Sequence, residues 1–162
     1  MARLLVVHHS PTRSVQALTA AALEGARDEE LRATVEVVER PALEATAADV
    51  LAADSVLLVT PANFGYMSGA LKHFFDSTFL EIGGALGEDG QGAGAPGGGR
   101  TAYGLCVHGR YDTAGAVRAV QSIVGALPWR QAAPVLEVLG EVTDEHLGAA
   151  RELGATLGAV VA

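Results

Sequence analysis

Runs of consecutive apolar residues alternate along this chain with stretches in which apolar residues recur every three or four positions. Leu4–Val7 and Val56–Val59 are continuous runs, the pattern of strands buried on both faces, and the apolar-rich stretches Thr101–Val107 and Val135–Leu139 read as two further strands. A fifth candidate strand, Arg32–Glu39, contains the alternation Val35-Glu36-Val37, which predicts one partly wet face at a sheet edge. Between these runs the period becomes helical. Val15, Leu18, Ala22 and Gly25 share one face of a helix starting near Ser14, and Thr46-Ala47-Ala48-Asp49 reads as a capping box opening a short helix. Leu71, Phe74, Phe75, Thr78 and Phe79 form a third stripe, with Ser68 as N-cap. Val117, Val120, Val124 and Leu127 predict a helix over Thr113–Leu127, and Leu147, Ala150, Gly154, Leu157 and Val161 a last one capped by Thr143. Strand–helix alternation predicts an α/β fold, a parallel sheet with helices on both faces. Pro61 lacks an N–H and biases the residue before it away from helix, so the third strand is expected to stop at Thr60-Pro61.

The stretch Gly83–Gly99 has neither period nor bulk and predicts a mobile surface loop, too short to divide residues 1–162 into two domains. The chain is 49% apolar and 19% charged, within the range of a globular protein. A net charge of −8 argues against a general nucleic-acid or anionic-membrane binder. Its one cysteine, Cys106, allows no internal disulfide and no multi-cysteine metal site. With an N-terminal apolar run too short for a signal-peptide core and no run of transmembrane length, a cytoplasmic protein without a membrane span is expected.

Periodicity leaves one stretch unexplained. Between the Val56 strand and the Phe-rich helix lies Pro61-Ala62-Asn63-Phe64-Gly65-Tyr66-Met67, whose two aromatic rings, amide and glycine fill no core position. After the first strand, Ser10, Thr12 and Ser14 bring three hydroxyls, and Arg13 a cation, to the start of a helix. Free N–H groups and the positive dipole end make such a position an anion site.

The run Thr60–Lys72, with its P-x-x-x-G-x-x-S-G-x-L-K spacing, resembles the second flavin-contacting loop of the flavodoxin-like FMN proteins, and most of all the branch of NAD(P)H-dependent FMN and quinone reductases. The first loop departs from the glycine-bearing pattern of plain flavodoxins and is similar to the arginine-bearing loop of the reductases. The resemblance implies a flavodoxin-like, doubly wound sheet of five strands in the order 2-1-3-4-5, with right-handed crossovers. It brings three loops to one edge. Ser10, Thr12, Arg13, Ser14 and Val15 would hold the FMN phosphate. Pro61, Ala62, Asn63, Phe64, Gly65 and Tyr66 would meet the ribityl chain and ring. His108, Gly109, Arg110 and Tyr111 would meet the far edge of the ring. Phe64, Tyr66 and Tyr111 are the stacking candidates.

It further implies electron flow from NAD(P)H through FMN to a small acceptor such as a quinone or free flavin. The alternative is a non-enzymatic electron shuttle served by a redox partner protein. A homo-oligomer is compatible with either. Strand ends His9 and Thr60 lack the carboxylates of a phosphoacceptor site, and Cys106 to Arg110 is too short for the loop of a cysteine phosphatase. A His9–His108 metal pair would lack a third ligand. His8 reads as a strand side chain, Cys106 as a core thiol, and Trp129 as packing at the opposite edge of the sheet.

Overall fold

The computed structural model describes residues 1–84, 86, 88, 89 and 101–162, so most of the glycine-rich stretch 83–99 lies outside the described residues. The element order is β1 (Ala2–His8), α1 (Arg13–Ala26), β2 (Val35–Pro41), α2 (Ala47–Leu51), β3 (Ser55–Asn63), β4 (Tyr66–Met67), α3 (Gly69–Thr78), β5 (Thr101–Gly109), α4 (Ala114–Val124), β6 (Trp129–Gln131), β7 (Leu136–Leu139) and α5 (Asp144–Ala159). Among the described residues these strands form a 7-stranded sheet with the path β2-β1-β3-β5-β6, β4 pairing with β3 and β7 with β5. All pairings along the path are parallel. This is the expected 2-1-3-4-5 order once the short β4 is set aside and β6 and β7 are taken as two pieces of one strand.

The place beside β5 is therefore shared by two pieces, the expected Val135–Leu139 strand and an unexpected short one before it. Trp129-Arg130-Gln131 pairs with Thr101-Ala102-Tyr103, and Leu136–Leu139 pairs with Cys106–Gly109. From Gln131 to Leu136 this side spends more residues than β5 needs from Tyr103 to Cys106. The excess contains Pro134, which lies outside both strands, where a missing N–H breaks no ladder bond. Trp129 opens β6 and is a packing residue, buried against Tyr103 with ring centroids 6.1 Å apart. β2 begins at Val35, later than the expected Arg32, because Asp28–Thr34 closes turns onto the end of α1.

Alternating residues of the central strands feed opposite faces. Leu5, Val7, Val56, Leu58, Leu105 and Val107 pack with Leu71, Phe74, Phe75, Val120 and Val124 under α3 and α4. Leu4, Val6, Leu57, Val59 and Cys106 pack with Val15, Leu18, Ala22, Leu153 and Leu157 under α1 and α5. Three layers result, with the carboxyl ends of β1, β3 and β5 on one edge. No helix among the described residues is long and apolar enough to cross a membrane.

β3 does not stop at Thr60. It runs through Pro61 to Asn63, and Pro61 pairs with His108 of β5. β1 ends opposite Val59, whose carbonyl accepts from His9 N at 3.0 Å. Two residues on, Pro61 turns its backbone the same way, into a side where β1 has already ended. Its absent N–H therefore breaks no ladder bond.

Candidate functional site

The first of the three loops at the carboxyl edge joins β1 to α1. Thr12, with extended backbone (φ −121°, ψ 160°), is the N-cap and accepts from Val15 N at 3.3 Å. The helix expected to start near Ser14 thus starts at Arg13, capped by Thr12, and Ser14 lies within it. No acidic residue occupies the first turn of α1, so its positive end is uncompensated. Arg13 is exposed there, without an ion pair among the described residues. Val15 is fully buried and anchors the turn. Ser10 turns its hydroxyl toward the end of β1: its Oγ lies 2.8 Å from His8 Nδ1 and 2.8 Å from Thr19 Oγ1. Its carbonyl accepts from Gln16 Nε2 at 3.2 Å.

The second loop is a hairpin. Asn63 pairs with Tyr66 and Ala62 with Met67 in antiparallel register, leaving Phe64 and Gly65 as the two turn residues. Both have positive φ, 50° and 74°, the signature of a type I′ turn. Phe64 is the only non-glycine among the described residues with positive φ, and a bulky side chain there is a strained choice. The foot of the hairpin is tied by buried hydroxyls. Ser68 N donates to Thr60 Oγ1 at 3.0 Å, Thr60 Oγ1 donates to Pro61 O at 2.9 Å, and Ser68 Oγ accepts from Leu71 N at 3.1 Å as the N-cap of α3. The hairpin is held rigidly while its tip stands in solvent, with Phe64 110% and Tyr66 43% exposed.

The third loop follows Gly109, the buried last residue of β5. Arg110 and Tyr111 are exposed, Tyr111 at 95%. Asp112 does not pair with Arg110: its Oδ1 accepts from Ala114 N at 2.9 Å and so caps α4. Thr113, the formal N-cap, makes no cap bond and donates instead to Glu137 Oε1 at 2.8 Å. His108 is buried, and its Nε2 donates to Gly140 O at 2.7 Å. Its imidazole therefore ties β5 to the turn after β7, and that ring nitrogen is occupied.

Two residues that the sequence reading passed over support the second loop from the third. A Cβ on Gly115, in the first turn of α4, would lie 2.0 Å from Gly65 O, so only glycine lets the helix touch the hairpin tip. Asp112 Oδ2 lies 3.5 Å from where a Cβ on Gly65 would sit. The signal was present as Asp112-Thr113-x-Gly115 after a strand, an Asx cap followed by a small residue, but its target on another loop is invisible in one dimension.

Cys106 is a core thiol, its pKa pushed up to about 12 by burial, and it offers no thiolate at neutral pH. No group of three metal-ligating side chains occurs among the described residues.

The edge thus combines an uncompensated helix N-terminus, an arginine without an ion pair among the described residues, and three exposed aromatic rings on loops braced by glycine contacts. A dianionic phosphate joined to a flat heteroaromatic ring fits these features, since one end needs N–H donors and the other apolar faces. Replacing Gly65 with valine is expected to weaken FMN by about 1–3 kcal/mol, the strain of a β-branched residue at φ 74°. The fold should survive, because the tip buries no core residue. Fluorescence titration with FMN beside a thermal melt checks this; unchanged affinity would show that the hairpin tip is not the ring platform.

No curated protein sequence matches the chain. Solved structures align with it over nearly its full length. A flavodoxin from the domain Archaea is 16% identical, with a TM-score of 0.74 and 98% of each chain covered. A WrbA-like flavodoxin from Agrobacterium tumefaciens is 17% identical, with a TM-score of 0.71, 99% of this chain and 98% of that one covered. A short-chain flavodoxin associated with a PDU bacterial microcompartment is 14% identical, with a TM-score of 0.72 and 100% of both chains covered. These likenesses establish the flavodoxin-like fold. Residues 3–141 match the family model described as NADPH-dependent FMN reductase, so the chain is a member of that family, a flavodoxin-like oxidoreductase for which family membership assigns FMN as cofactor.

Proposed function

We propose that this protein is a reductase that takes reducing equivalents from NAD(P)H onto FMN and passes them to a small acceptor, a quinone or free flavin. The observation that carries the site is the exposure of Phe64, Tyr66 and Tyr111 at the same sheet edge as the uncompensated N-terminus of α1. The family description supports NADPH as donor. When bound, FMN supplies the hydride and single-electron chemistry.

The chain's own residues bind and orient. N–H groups at the start of α1, with Ser10, Thr12, Arg13, Ser14 and the backbone at Val15, hold the phosphate. Pro61, Ala62 and Asn63 flank the ribityl chain. Phe64, Gly65 and Tyr66 form one wall of the ring site, and the backbone of His108 and Gly109 with Arg110 and Tyr111 the other. No side chain is required as general acid or base. Residues 1–162 act as one domain, and the single buried thiol suits a reducing cytoplasm.

Anaerobic addition of NADPH to the FMN-loaded protein tests the reading. Bleaching of the visible flavin absorbance within the mixing time of a turnover assay is expected. Bleaching by dithionite but by neither NADPH nor NADH would replace the reductase with an electron shuttle. Arg110 tunes the site through its charge. A screened surface cation is worth at most about 1 kcal/mol against the negative charge gained on reduction, which is on the order of 40 mV for a one-electron step. Arg110→Gln should therefore lower the midpoint potential of bound FMN by tens of millivolts in spectroelectrochemical titration. An unchanged potential would remove Arg110 from the ring site.

A further inference from the structure

Ser10 sits between two groups that decide what its hydroxyl can do. Its Oγ is 2.8 Å from His8 Nδ1 and 2.8 Å from Thr19 Oγ1, and Thr19 is buried on α1. On the other side of the imidazole, His8 Nε2 is 3.2 Å from Glu39 Oε1 on β2, close but out of line for a formed hydrogen bond. Glu39 Oε2 in turn lies 3.5 Å from the Arg27 guanidinium. The chain neighbour His9 is the other titratable group acting on His8, while the strand partners Val59 and Pro41 carry no charge.

A serine hydroxyl has one proton to donate. If His8 is neutral with its proton on Nε2, toward the Glu39 carboxylate, Nδ1 is a lone pair. Ser10 must then donate to it, and only oxygen lone pairs face the α1 loop, which repel an anion. The other neutral tautomer would set an Nε2 lone pair against the carboxylate at 3.2 Å. With both nitrogens protonated, Nδ1–H and the Thr19 hydroxyl both donate to Ser10 Oγ. The Ser10 proton is then released to point at a phosphate oxygen at the start of α1.

We infer that His8 is a positioning residue for the cofactor phosphate: FMN binding takes up a proton at His8, and that proton turns Ser10 from an acceptor into a donor. The inference rests on the proposed role of the α1 N-terminus as the phosphate grip. In the protein by itself burial lowers the His8 pKa below its ordinary value of 6.5, and the Glu39 carboxylate offsets part of this, so the imidazole is mainly neutral at pH 7. A dianion at the loop raises it. Affinity for FMN should accordingly fall as pH rises from the free-state value to the bound-state value, by up to about tenfold per pH unit.

The sign distinguishes His8 from the ligand. A phosphate monoester, with a second pKa of about 6, releases protons when bound as the dianion. Calorimetry of FMN binding at pH 7, in buffers of different ionisation enthalpy, should show net proton uptake by the wild type and none with riboflavin. His8→Gln, which keeps a polar side chain but cannot titrate, should lose the uptake. Ser10→Ala, a small change beside an intact His8, should lose both the uptake and part of the preference for FMN over riboflavin. Tighter FMN than riboflavin binding without proton uptake, or uptake that persists in His8→Gln, overturns the inference and leaves the phosphate grip standing. Equal affinity for FMN and riboflavin overturns the phosphate grip and the inference with it.

Discussion

Arg13→Ala is expected to weaken FMN binding by about 1.5–3 kcal/mol, the value of a charge-assisted hydrogen bond, or roughly tenfold to a hundredfold in dissociation constant. The loss should be specific to the phosphate. Arg13 is exposed at the first position of α1 and supports no ion pair among the described residues, so its removal takes nothing from the fold. Riboflavin, which lacks the phosphate, should bind the variant as it binds the wild type. Parallel titrations with the two ligands separate the outcomes, and equal losses for both would mean that Arg13 does not meet the phosphate. Raising the salt concentration should narrow the difference between wild type and variant, because an exposed charge is screened.

Phe74→Ala is expected to lower stability by about 3–5 kcal/mol, through lost burial and the cavity left behind. Phe74 is fully buried between α3 and the sheet and packs on Phe75 at a centroid distance of 5.2 Å. For a chain of this size the melting temperature should drop by on the order of 10 °C. The effect should reach the candidate site as well. α3 starts at Ser68, and Ser68 ties the hairpin foot to Thr60, so a loosened helix loosens the hairpin. A thermal melt with and without FMN reads both consequences. Phe74→Leu, which refills most of the volume, should recover most of the stability; a melt unmoved by Phe74→Ala would mean that α3 is not anchored by this ring.

The strand and helix pattern was legible because burial on both faces requires continuous apolar runs, and these occur at β1, β3 and β5 with few breaks. Caps were legible for the same local reason: Thr46, Ser68 and Thr143 each bond a backbone N–H three residues away. Where the reading erred, a long-range partner decided. Pro61 looked like a strand terminator, yet β3 continues through it, since β1 has already ended opposite Val59, two residues earlier. The partner of the His108 ring, Gly140 O in the turn after β7, was likewise beyond local reach.

By itself the sequence determined the α/β class, the positions of the helices and the chemical character of three loops, since each depends on residues a few positions apart. The motif at Thr60–Lys72 also pointed to the family that the match over residues 3–141 establishes. Only the tertiary structure decided that Phe64 and Gly65 form a two-residue turn, that α4 braces it through Gly115, and that His8, Ser10, Thr19 and Glu39 form one chain of contacts. These contacts join residues on different strands and helices. The energy that selects them is packing and hydrogen bonding across the sheet edge, which no local period records.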